Sequence, residues 1–263
     1  MSFLEHLDEL RQRLIRGLLS LIAAFALCWG FRERIFHFLT DPLRRGTLAA
    51  ESAPGQGVQF IYTAPTEAFM LYMKMVFFVG IFVAAPYILY QVWAFVSPGL
   101  YAHEKVYAIP FILFGSLFFL GGGLFGHYVL FPMTFRFLGE FGGADMTFMP
   151  KVDEYYSFYS WFLLGLGLVF QLPVVIFVLA RIGLVTPGFL VRQFKYAVLA
   201  SFLISAVITP TADMVTQTML ALPMVGLYAL GIAVAWLFGK ARREPSAAGA
   251  LAHRRTGPGP REA

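Results

Sequence analysis

The chain has 263 residues, of which 59% are hydrophobic and only 13% charged, with a formal net charge of +5. Soluble domains carry about 25% charged residues, so a soluble globular protein is excluded. Nor does the positive balance point to nucleic acid, because six of the twenty Lys and Arg residues (Lys240, Arg242, Arg243, Arg254, Arg255 and Arg261) follow the last apolar run, as in a membrane-proximal basic tail.

The uncharged intervals between Arg16 and Arg32, Lys74 and Glu104, Lys105 and Arg136, Glu154 and Arg181, Lys195 and Asp213, and Asp213 and Lys240 hold 15, 29, 30, 26, 17 and 26 residues. A membrane-crossing helix needs roughly 20, which predicts six passes, two of them short. In chain order the helices are placed at Leu14 to Phe31, Phe69 to Val96, Tyr107 to Met133, Phe158 to Ile182, Tyr196 to Ile208 and Thr216 to Phe238. Residues 1–239 are therefore read as one six-helix domain and 240–263 as a basic, disordered tail.

Before the first span, Met1 to Arg13 carries Glu5, Asp8 and Glu9, and no small-residue cleavage site closes the apolar run. It is not a secretory signal, and the mature chain is expected to start here. Ser2 and Glu5 have capping-box spacing, and Phe3, Leu4, Leu7, Leu10 and Leu14 recur at helical intervals, which predicts a short amphipathic helix lying on the surface. An even number of passes puts both termini on one side. Without the distant Arg254, Arg255 and Arg261 that side holds 10 Lys and Arg against 7 opposite, so both ends are expected in the cytoplasm.

Outside, Arg32 to Ala68 reads as a long loop, rich in Gly, Ala and Pro from Gly46 to Gly57, and Thr134 to Ser157 as an acidic one. Pro86, Pro110, Pro132, Pro173 and Pro223 lie within or at the ends of spans, where they bend helices into curved walls. The fifth span, 13 residues, is about 20 Å long against a hydrocarbon core of about 30 Å. Either the bilayer thins around it, or Thr209, Thr211 and Asp213 sit below the interface.

Enzymatic motifs are missing: there is no GxxxxGK[ST], HExxH or GxSxG, and Cys28 is the lone cysteine, so no cofactor, metal or redox site is expected. Ser116 and His127 are separated by about 16 Å along one helix, too far to pair; His127 is read as an interfacial, hydrogen-bonded residue near Tyr128. Lys74 either snorkels outward or pairs with Glu67. Gln171, just before Pro173, could bond to carbonyls freed by the proline or to a partner helix. Gly122 and Gly126 form a GxxxG that fits close packing inside the bundle. Before the tail the cytoplasmic acids are few: Glu5, Asp8, Glu9 and Glu104. Carboxylates beside Phe95, Leu100 and Tyr101 would suit a ligand with guanidinium groups followed by an apolar stretch.

Five stretches, FLEHLDELRQRL (Phe3 to Leu14), PTEAFMLYMKM (Pro65 to Met75), APYILYQVWAFVSPGLYAHEK (Ala85 to Lys105), GLVFQLPVV (Gly167 to Val175) and TPTADMVTQTMLALPM (Thr209 to Met224), closely resemble the TatC family, the multispanning receptor subunits of twin-arginine translocases. The resemblance runs in order from Phe3 to Phe238. It implies a cup-shaped six-helix bundle with short fifth and sixth helices in a bacterial or archaeal cytoplasmic membrane, with its termini cytoplasmic. Such a protein binds twin-arginine signal peptides of folded precursors, recruits single-span subunits of the TatA and TatB type, contacts lipid, self-associates, and is driven by the proton-motive force. Glu9 and Glu104 fall on the family's acidic positions for the arginine pair, with Phe95, Leu100, Tyr101 and Lys105 as neighbours and Arg11 as the basic residue of ELR. Gln171 stands where the family has Glu or Gln in the concave face. Asp213, near Pro210, matches the aspartate of the last outer loop. Ala229 replaces an acid found in some relatives, and His127 an aromatic residue. The rival readings are a small-molecule transporter, for which no internal repeat is found, and an intramembrane enzyme, which lacks a reactive pair.

Overall fold

The computed structural model describes residues 3–46, 60–96, 108–140, 149–209 and 213–238. The chain starts in α1 (Phe3–Trp29), one unbroken helix of 27 residues. The amphipathic N-terminal segment is thus not a separate surface helix: nothing between Leu14 and Gly17 breaks the backbone, and its apolar positions continue into the span. A turn at Gly30 and Phe31 leads to α2 (Arg32–Gly46), a 15-residue helix where the sequence reading expected loop. Ile35, Leu39 and Leu43 recur every fourth residue, and Leu39 and Leu43 are almost fully buried. That spacing was the available signal.

α3 (Glu67–Val96) lies along α1 and also packs against α4 (Ala108–Phe125). A wide π-turn, Gly126–Leu130, joins α4 to α5 (Phe131–Glu140), and Phe131 N–H reaches back to the Gly126 carbonyl. Pro132 follows. Its ring would clash with the carbonyl four residues earlier, and the extra residue in the turn relieves that clash without ending the span. α6 (Val152–Val169) and α7 (Leu172–Arg181) form the fourth span, broken at Phe170 and Gln171 just ahead of Pro173. α7 stops at Gly183, whose φ of 78° suits glycine alone, and Leu184 N–H bonds to the Leu179 carbonyl at 3.0 Å. The short α8 (Pro187–Arg192) is capped by Thr186, which accepts from Phe189 N–H at 3.3 Å. α9 (Phe194–Ile208) and α10 (Met214–Phe238) complete the bundle, with α10 packed on α7 and α9.

Among the described residues five spans are long and apolar enough to cross a membrane, and α9 is a shorter apolar helix. At 15 residues it is about 23 Å long, so the short fifth span stands. The sixth is corrected: 25 residues give about 38 Å, ample to cross.

The core is aromatic. Phe131, Tyr155, Tyr156, Tyr159 and Phe162 are buried together with Leu39 and Leu43 of α2, and Tyr155 OH donates to the Leu39 carbonyl at 3.1 Å. At the same end Ile61 pairs with the start of α6, through Val152 N–H to Ile61 O at 3.1 Å. Large apolar side chains point outward instead: Leu18, Leu117, Leu203 and Trp236 are all more than half exposed. In water that pattern would be costly, whereas against lipid it is the expected outer surface.

Candidate functional site

Helical spacing builds the site. Glu9 and Arg13 are four residues apart on α1, and Gln91 and Phe95 four apart on the end of α3, so each pair occupies one helix face. Because α1 lies along α3, the two faces meet. Arg13 Nη2 donates to Glu9 Oε1 at 3.2 Å, and Arg13 Nη1 to Gln91 Oε1 at 3.4 Å. Gln91 is only 4% exposed. The side chains of Glu9 and Arg13 retain 19% and 23% exposure, enough to be reached from the surface. Glu9 Oε2 is buried and accepts no hydrogen bond from the described residues, a costly state for a carboxylate oxygen. Beside it the His6 ring stacks on Phe95 with centroids 4.5 Å apart. Trp93 packs on Phe111 at 4.8 Å, tying the end of α3 to the start of α4. Chemically this is an anionic acceptor beside an aromatic face.

Among the sequence-derived candidates, Glu9 and Phe95 come together here. Arg11 is exposed on α1. Leu100, Tyr101, Glu104, Lys105 and Pro210 lie outside the described residues, as does the tail 240–263. Arg13, Gln91 and His6 were missed. The four-residue spacing of Glu9 and Arg13 was legible, but a lone amide in an apolar span gives no hint of its partner.

The remaining candidates sit elsewhere. Gln171 Nε2 donates to the Gly115 carbonyl at 2.9 Å, so of its two expected partners the neighbouring helix is the one found. Of the two readings of Lys74, the pairing with Glu67 is corrected: Lys74, half exposed, pairs with Asp153 of α6, while Glu67 accepts from Thr63 Oγ1 at 2.8 Å and lies 3.8 Å from Lys151. Lys74 and Gln91 are about 26 Å apart along α3, placing the former at the opposite end of the bundle. Asp213 Oδ2 accepts from Thr216 N–H and caps α10. His127 is hydrogen-bonded and lies against Tyr128 as read, the ring centroids 4.5 Å apart; at 1% exposure it is buried, its Nδ1 2.6 Å from Tyr159 OH and its ring stacked on Phe38 at 4.2 Å. Ser116 Oγ bonds to the Ile112 carbonyl at 2.6 Å.

The chain matches the model of the family described as Sec-independent protein translocase protein (TatC) over residues 5–223. It is 42% identical over 239 residues to the TatC protein of Koribacter versatilis, covering 90% of this chain and 86% of that one. Identity to the Desulforapulum autotrophicum TatC protein is 41% over 238 residues, covering 90% and 85%. The fold is similar to a crystal structure of the twin arginine translocase receptor TatC, with TM-score 0.74 and 35% identity over 88% of this chain and 98% of that chain. A second such structure, in DDM, gives 0.76 and 34% over 90% and 100%.

Proposed function

The chain belongs to the TatC family, and from that premise we propose that Glu9 and Glu104 bind the paired arginines of signal peptides on folded precursors. As a TatC protein it is a multi-pass translocase receptor subunit, not an enzyme. The observation that carries the reading is Glu9 Oε2, a buried carboxylate oxygen with no donor among the described residues, next to an exposed edge and an aromatic face. Guanidinium is its natural complement, permanently charged and able to offer several N–H groups. Phe95, Leu100 and Tyr101 contact the residues after the arginines, with Arg11 and Lys105 flanking the site.

In the same reading both termini face the cytoplasm, and the Gln171 region belongs to a concave groove open to the membrane. Single-span partner subunits dock on the bundle, with Pro210 and Asp213 in the loop near their contact. The proton-motive force drives transport. The test is site-specific crosslinking of a twin-arginine precursor to membranes containing the protein. Glu9→Ala with Glu104→Ala is expected to abolish contact at the arginine pair; crosslinking retained at the wild-type level overturns the assignment.

A further inference from the structure

Arg13 already offers Glu9 a guanidinium, at 3.2 Å from Oε1. Such a group ordinarily closes on both carboxylate oxygens, because two parallel charge-assisted bonds are the strongest arrangement. Here Oε2 is left buried and unbonded among the described residues, which is unfavourable, so something holds Arg13 back. The restraint is Gln91, whose Oε1 accepts from the other terminal nitrogen of Arg13 at 3.4 Å. Buried to 4% exposure on α3, Gln91 is fixed by its packing and cannot follow Arg13 toward Glu9.

We infer that Gln91 is a positioning residue for arginine recognition: by holding Arg13 Nη1 it stops the protein's own guanidinium from closing on Glu9 and reserves Oε2 for a guanidinium of the signal peptide. The inference rests on the reading of Glu9 above. Arg13 is thus the internal competitor that Gln91 restrains.

Full-length protein in lipid nanodiscs is titrated with a fluorescent peptide carrying paired arginines ahead of an apolar stretch. Gln91→Met keeps the volume but removes the acceptor, and Kd is expected to rise about tenfold, the worth of one charge-assisted hydrogen bond. Adding Arg13→Gln to that variant removes the competitor and returns Kd to near the wild-type value, a rescue that a purely structural role for Gln91 would not give. Arg13→Gln alone, which leaves the buried Gln91 intact in case Gln91→Met fails to fold, binds at wild-type strength or tighter. An unchanged Kd in Gln91→Met, or a tenfold loss in Arg13→Gln, overturns the inference while Glu9→Gln still abolishes binding. If Glu9→Gln also binds normally, the reading of Glu9 falls with it.

Discussion

His127 and Lys74 are both polar residues on apolar spans, yet their surroundings assign them different weights. The His127 imidazole lies among Phe38, Tyr128 and Tyr159 with its Nδ1 on the Tyr159 hydroxyl, where a lost hydrogen bond is not replaced by water. Tyr159→Phe is expected to cost about 1–3 kcal/mol, read as a lowered midpoint of thermal unfolding in detergent. Lys74 and Asp153 retain 52% and 43% side-chain exposure. Water and salt screen such a pair, so Lys74→Met is expected to change stability by less than about 1 kcal/mol. At this scale Glu9 was legible because acids are scarce in so apolar a chain. Its partner Arg13 and the Gln91 to which Arg13 also donates are 78 residues apart, and no local pattern links them.

At the scale of elements, glycine decides how closely α4 approaches the fourth span. A Cβ on Gly122 would lie 2.8 Å from the Phe170 ring and 2.9 Å from the Leu166 carbonyl, whereas one on Gly121 would meet nothing within 4 Å. The backbone carbonyl cannot yield as a side-chain end can. Gly122→Ala is therefore expected to destabilise by about 1–3 kcal/mol, and Gly121→Ala to be neutral or to stabilise by up to about 1 kcal/mol. Comparing the two by thermal unfolding separates packing from helix propensity. The glycine run itself was visible in the sequence, but its one-residue selectivity depends on which neighbour each glycine faces. α2 escaped notice because its charged residues and Pro42 read as loop. Its apolar face has meaning only against Tyr155 and Tyr156, more than 100 residues away.

For the whole molecule, the mismatch lies in α9, about 23 Å long beside spans of about 38 Å or more. Because mismatch costs fractions of a kcal/mol per Å, the protein is expected to be more stable in nanodiscs of phosphatidylcholine with 14-carbon chains than with 20-carbon chains. Four apolar residues inserted into α9 should flatten that dependence; a stability insensitive to chain length would show that α9 does not set the fit. The sequence by itself determined the membrane class, the six spans and the family, since charge spacing follows directly from the cost of burying charge in lipid. Only the tertiary structure decided that α2 closes over the aromatic core, that Lys74 reaches Asp153, and that Arg13 is shared between Glu9 and Gln91. These depend on which helix faces meet, and helix contacts in lipid arise from close packing and specific hydrogen bonds rather than from the hydropathy that marks the spans.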